Sequence, residues 1–409
     1  MAQTAVLPKP VQLSLRVLTA ISVCHLMNDL VQSLLPAIYP ILKSSFHLTF
    51  GEIGFVTLAY QLTASLLQPV VGQYTDKRPL PYSLPFAMVF TLIGLILMGL
   101  AANLGSLLLA ALLIGLGSAI FHPESSRVAR LASGGQHGLA QSFFQVGGNA
   151  GSAIGPLLAA LIVQPRGQIA VLWFSIAALL AIPLLIRVAR WYDSIHIRRP
   201  VAQTGGTKMA TAVGTRQVFF ALALLLVLIF SKYFYLASIA NFYTFYLIEH
   251  FGVSVQGAQI HLFVFLGAVA AGTLLGGPVG DRYGRKLVIL GSIFGVLPFT
   301  LILPHANLFW TGPLTFVIGF ILSSAFSAIL VYGQELIPGR IGMVSGLFFG
   351  FAFGMGGIGA AVLGHMADSF GIITVYKIVA WLPALGLFAI FLPRVRHDRA
   401  LAGERDVLR

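Results

Sequence analysis

The chain has 409 residues, of which 57% are hydrophobic and only 9% charged, a composition that excludes an ordinary soluble domain. Its formal net charge is +13, but the basic residues fall in short loops between long apolar runs, which excludes a continuous nucleic-acid surface. The single cysteine, Cys24, excludes a disulfide framework.

In chain order, apolar stretches occur near 16–42, 52–74, 81–102, 105–130, 139–163 and 168–190. A second set follows near 217–248, 256–278, 287–304, 309–336, 340–366 and 372–392. Each is long enough to cross a bilayer as a helix, and the alternating ten-residue segments of a membrane β-barrel are missing. The expectation is an all-α membrane protein with twelve transmembrane helices. The first stretch is too long for a signal-peptide core and is not closed by an A-x-A site, so it is expected to remain in the protein.

Assigning the loops alternately to two sides puts Lys9, Lys77, Arg78, Arg130, Arg187 and Arg282 on one side, together with the arginines of the tail. Lys43, Arg166 and Lys377 fall opposite. The positive-inside bias then predicts a multi-pass membrane protein with both termini cytoplasmic.

The chain also repeats itself. Gly72-Gln-Tyr-Thr-Asp76-Lys77-Arg78 returns as Gly277-Pro-Val-Gly-Asp281-Arg282-Tyr-Gly284-Arg285-Lys286, an offset of 205. Phe46-His-Leu-Thr49 and Phe251-Gly-Val-Ser254 share that offset, while Gly138 and Gly155 find Gly342 and Gly359 at 204. This predicts a duplicated six-helix bundle: residues 1–190, a polar cytoplasmic linker at 191–216, and 217–409 with a cytoplasmic tail.

The pattern from Gly277 to Lys286 resembles the signature loop of the major facilitator superfamily, and the first copy departs from it after Lys77. The resemblance implies two six-helix bundles and a conformational latch. Gly72, Asp76, Lys77, Arg127, Gly277, Asp281, Arg282, Arg285, Glu335 and Arg340 would contribute to that latch. Gly151-Ser-Ala-Ile-Gly155-Pro156 resembles the superfamily's antiporter motif; close helix packing through glycines four apart is the competing reading.

Five segments together resemble the fosmidomycin resistance branch of that superfamily. They are His25-Leu-Met-Asn28-Asp29, Gln68-Pro-Val-Val-Gly72, Phe121-His-Pro-Glu-Ser-Ser-Arg127, Ser231-Lys-Tyr-Phe-Tyr235 and Gln334-Glu-Leu-Ile-Pro-Gly-Arg340. The resemblance implies proton-coupled export of a small phosphonate antibiotic such as fosmidomycin, by an antiporter acting as a monomer. Export of a native anionic metabolite, or import on the same scaffold, are the alternatives.

Charges inside the spans are few, and at bilayer depth each costs about 2.5–3.5 kcal/mol on insertion scales. Asp29 and Glu124 lie well within spans, and Lys232 is the one basic residue near a span's middle. Asp29 and Glu124 are the candidates for proton coupling. The expectation is that Asp29 and Lys232 face one central cavity and affect each other's protonation; a fixed ion pair locking the bundle is the alternative.

His25, Asp29 and Gln32 share one helical stripe, with Asn28 beside them. Gln145 and Asn149 form a second stripe with Gln141, and Tyr235 follows Lys232 at i+3. His25, Asn28, Gln32, His122, Gln145, Asn149, Lys232 and Tyr235 are the candidate substrate-binding residues. Several of these have a packing reading too: a hydrogen-bonded histidine, or amides that tie neighbouring helices. Glu124 and Arg127, one turn apart beyond Pro123, form either a proton-sensitive inner gate or a static helix anchor. The chain lacks H-E-x-x-H, G-x-S-x-G and nucleotide-loop motifs, so no enzyme, cofactor or metal is expected. Anion, protons and lipid bilayer are the expected partners.

Overall fold

The computed structural model describes residues 13–48, 50–198 and 215–393, and among these it is helical throughout, with no strand. The first bundle contains α1 (Leu15–Ala37), α2 (Phe50–Lys77), α3 (Ser83–Leu100), α4 (Leu104–Leu131), α5 (His137–Leu158) and α6 (Ser175–Arg198). The second contains α7 (Thr215–Phe251), α8 (Val255–Tyr283), α9 (Arg285–Ile302), α10 (Leu308–Leu336), α11 (Ile341–Phe370) and α12 (Ile372–Phe391). Within the linker, α6 extends to Arg198 and α7 starts at Thr215; residues 199–214 and the tail from 394 lie outside the described residues.

Among the described residues, ten helices are long and apolar enough to cross a membrane. Two helices, α2 and α5, are rich in polar residues: Gln61, Thr63, Ser65 and Gln68 on the first, and Gln141, Ser142, Gln145 and Asn149 on the second. Their polar residues have protein to face: α2 packs against α11, and α5 against α8, across the boundary between the bundles. The first apolar stretch is interrupted at Ile38, ahead of Pro40, and continues as the short helix Tyr39–Phe46.

The internal repeat has a backbone signature. His47 and Gly252, equivalent at the offset of 205, both adopt left-handed backbone conformations, at φ 52° and 65°. Each ends one helix ahead of the next, the position that most favours glycine. The repeat breaks where chemistry requires. Gly284 has φ 99°, a value closed to its counterpart Pro79, whose ring holds φ near about −65°. The loop after α2 therefore follows a different path from the loop after α8.

Glycines set how closely helices approach. Gly147, Gly151 and Gly155 lie four apart on α5, where a Cβ would strike Ser22, Leu26 and Ser33 of α1 in turn. The glycines of the Gly151–Gly155–Pro156 motif thus join two helices of the same bundle. Beyond Pro156 the helix widens into a π-helical stretch, Ala159–Val163. Between the bundles, Gly72 meets Gly342 and Gly277 meets Gly138, each pair so close that a Cβ would collide with a backbone carbonyl. Both crossings lie at the basic-loop end, where the two halves are closed against each other.

Candidate functional site

Three polar centres occupy the boundary between the bundles. At the basic-loop end, Asp76 accepts hydrogen bonds from Gly342 N–H (2.9 Å) and Met343 N–H (2.8 Å), the first turn of α11. Asp281 does the same at α5, accepting from Gly138 N–H and Leu139 N–H, both at 2.9 Å. Each carboxylate meets unsatisfied amides at the positive end of a helix in the opposite bundle. Arg285 pairs with Asp281 at 3.0 Å and Glu335 at 3.1 Å. Arg127 pairs with Asp76 at 2.7 Å and Glu124 at 3.0 Å.

The two latches match in chemistry and differ in construction. In the second, the guanidinium comes from the signature loop itself. In the first, Pro79 diverts the loop, and α4 supplies Arg127, which also donates to the Thr75 carbonyl at 2.7 Å. The departure from the loop pattern after Lys77 therefore leaves the contact intact. Of the candidate latch residues, Lys77, Arg282 and Arg340 are exposed; Arg282 lies over Tyr283. The expected Glu335–Arg340 echo is corrected: Glu335 pairs with Arg285, because Arg340 caps α11 and reaches outward to Met343 Sδ. Asp281→Asn keeps the shape but removes the charge from these bonds, each worth about 1.5–3 kcal/mol when ionised. The variant is expected to populate a state open at the basic-loop end, read as lengthened spin-label distances across that face.

The second centre surrounds Asp29. His25 Nε2 lies 3.2 Å from Asp29 Oδ2, and His122 Nε2 lies 3.4 Å from Oδ1. Asn28 donates to Oδ1 at 3.0 Å. Each imidazole is fixed from behind. His25 Nδ1 is 2.8 Å from the Phe144 carbonyl, and His122 Nδ1 is 3.0 Å from that of Ser118. A carbonyl only accepts, so both Nδ1 atoms carry hydrogen and both Nε2 atoms point at the carboxylate. Each Nε2···O contact is attractive only with a proton between the two atoms. Gly148 makes the room, since a side chain there would strike the His25 ring and the Asp29 carboxylate. Gln32 belongs to this group at one remove, accepting from Tyr60 at 2.7 Å and Ser118 at 3.1 Å.

The third centre is a cavity of about 90 Å³ lined by Gln145 and Asn149 of α5, Lys232, Tyr233 and Leu236 of α7, Val269 and Thr273 of α8, and Leu322, Ser323 and Phe326 of α10. Lys232, 4% exposed, donates to Ser292 Oγ at 2.8 Å and the Leu322 carbonyl at 3.1 Å. Among the described residues it has no carboxylate within ion-pair distance. Asn149 donates to Thr273 at 3.1 Å, joining the bundles across the cavity wall.

The alternative of a fixed Asp29–Lys232 ion pair is therefore excluded, and the expectation that both face one cavity is corrected: Asp29 is not among the residues that line the cavity beside Lys232. Asp29 is held by two histidines of its own bundle, and Lys232 by a hydroxyl and a carbonyl of the other. A chain of ring contacts runs from the cavity wall to the Asp29 cluster. Tyr233 meets Phe326 at 5.3 Å, Phe326 meets Phe349 at 5.4 Å, and Phe349 and Phe353 meet His122 at 5.3 and 5.1 Å. The eight candidate binding residues divide accordingly. His25, Asn28, Gln32 and His122 gather at Asp29, whereas Gln145, Asn149 and Lys232 line the cavity.

Tyr235 does neither: it is 1% exposed in the core of the second bundle, among Tyr243, Tyr246 and Tyr376. At about 100° per residue, Tyr233 and Tyr235 fall roughly equally far to either side of the face centred by Lys232 and Leu236, and the packing of α7 turns the Tyr233 side to the cavity. Tyr233, Thr273, Ser323 and the phenylalanines were missed. Helical projection does not choose Tyr233 over Tyr235, and nothing in the sequence distinguishes Phe349 from other core aromatics.

The sequence profile of the Major Facilitator Superfamily matches residues 21–358 and 225–407. The chain belongs to that superfamily and is a transporter, not an enzyme. It is 63% identical over 387 residues to the fosmidomycin resistance protein of Escherichia coli (strain K12), covering 94% of each chain. It is 44% identical to the uncharacterised transporter YfnC of Bacillus subtilis (strain 168), over 92% of each. Its fold resembles the transporter FucP in an outward conformation, with a TM-score of 0.73 at 15% identity, covering 92% of this chain and 99% of that one.

Proposed function

We propose that this protein is a proton-coupled efflux transporter of the inner membrane, with cytoplasmic termini, exporting small anions of the phosphonate type by alternating access. The observation that carries the reading is Lys232: a buried ammonium on a cavity wall, without a carboxylate counter-charge among the described residues. A charge held so deep calls for an anionic guest. Asp29, with His25 and His122, supplies the complementary proton site in the other bundle. Glu124, tied through Arg127 to Asp76, is where a proton would loosen the latch. The likeness to a fosmidomycin resistance protein supports fosmidomycin as one cargo. Export of an anion from a negative cytoplasm is assisted by about 2.3 kcal/mol per charge per 100 mV.

In the cycle, a cavity open to the cytoplasm loads the anion on Lys232, the bundles rock, and both Asp–amide latches close behind it. Protons arriving at the Asp29 cluster from outside permit the empty return. The test is uptake of labelled fosmidomycin by everted proteoliposomes with an acidic lumen. Accumulation that an uncoupler abolishes supports the reading; accumulation only in right-side-out vesicles would make the protein an importer.

A further inference from the structure

The cavity beside Lys232 offers a guest one positive charge. Every other side chain on its wall is neutral: the amides of Gln145 and Asn149, the hydroxyls of Tyr233, Thr273 and Ser323, and apolar groups. The arginines at the basic-loop end are committed elsewhere. Arg127 and Arg285 are held in their latches, and Arg130 donates to Gln334 at 2.9 Å. The ammonium itself is partly spent. Of its three N–H donors, two go to Ser292 and Leu322, which leaves one for a guest.

We infer that the site takes its cargo as a monoanion. A phosphonate enters with one oxygen still protonated, and its dianion is rejected. One ionised oxygen meets the free donor of Lys232. The remaining P–OH donates to a neutral acceptor of the wall, a Gln145 or Asn149 carbonyl or the Ser323 hydroxyl. A dianion would leave its second charge facing amides, hydroxyls and the Phe326 ring in a low-dielectric pocket, unmatched. The inference rests on the reading of Lys232 as the anion site and narrows it. Obligate monoanions such as carboxylates and phosphonate monoesters belong to the same chemical class.

The titratable groups around the cavity are Lys232 and Tyr233 on α7, and beyond them Asp29 on α1, whose charge reaches Tyr233. Asp29 has His25 on its own helix and His122 on α4 as partners. A change in any of these alters every anionic guest alike, which supplies the control.

The test is calorimetric binding to the purified full-length protein of fosmidomycin and of its mono-O-methyl phosphonate ester, which cannot ionise twice. Titrations run from about pH 6 to about pH 8.5, across the second ionisation of the phosphonate, a step that falls at about 6 for phosphate monoesters. The parent is expected to weaken relative to the ester by roughly tenfold per pH unit once the second ionisation is passed, since any change in the protein's own groups acts on both probes. Equal binding of the parent throughout overturns the inference, and so does parallel weakening of both probes, which would mark a charge lost by the protein. Either result leaves the anion site standing. Failure of both probes to bind at any pH, or binding unchanged by Lys232→Gln, sinks the reading of the site and the inference with it.

Discussion

Lys232→Gln is expected to weaken phosphonate binding by about 10- to 150-fold, the value of one charge-assisted hydrogen bond of about 1.5–3 kcal/mol. The same substitution is expected to raise the thermal stability of the empty protein. An ammonium 4% exposed and without a carboxylate partner among the described residues is expensive to hold, and glutamine removes that charge while keeping a donor near Ser292 and Leu322. The opposite signs make the experiment decisive. A lysine that merely ties α7 to α9 and α10 would lose stability on replacement and leave affinity alone. Calorimetric titration and thermal unfolding in the same detergent read both quantities.

Asp29→Asn is expected to abolish gradient-driven accumulation while sparing equal-concentration exchange of labelled cargo. The substitution is nearly isosteric: the amide can donate to one histidine Nε2 and accept from the other if that one is protonated. What it cannot do is gain or lose a proton. With coupling removed, the bundles still rock around a loaded cavity, so exchange continues and uphill transport stops. Proteoliposomes with an imposed pH difference measure the first, and counterflow the second. If Asp29→Asn and Glu124→Gln both retain uphill transport, the proton assignment fails for both acids. If Glu124→Gln alone stops uphill transport, coupling runs through the Glu124–Arg127–Asp76 latch instead of the Asp29 cluster.

The comparison of these two residues with their neighbours explains what could be read from the chain. Asp29 and Lys232 were identifiable one by one, because a charge in an apolar span is conspicuous against its background. Their partners were not. His25 is one turn from Asp29 and announced itself by spacing, but His122 approaches from another helix, and linear spacing carries no information about which helix faces which. The two charges had been expected to share one cavity. Each instead finds neutral or titratable partners inside its own bundle. Tyr235 and Tyr233 make the same point more sharply. Two tyrosines two positions apart differ by over half a turn of helix, and only the packing of α7 tells which one reaches the cavity.

By itself the sequence determined that this protein is a duplicated, all-helical membrane carrier with basic loops gathered on one face. Those properties follow from local or additive quantities: hydropathy over a span's length, lysine and arginine by loop, and a motif recurring at an offset of 205. Tertiary structure alone decided the pairings. Arg127 reaching Asp76 from α4, Asp281 seated on the first turn of α5, Glu335 turned to Arg285, and Lys232 left without an acid among the described residues all depend on contacts between residues far apart in the chain. The physical reason is that hydrogen bonds and ion pairs act over a few ångströms, so partners are fixed by how helices pack, and the order of residues along one helix specifies only which face each presents.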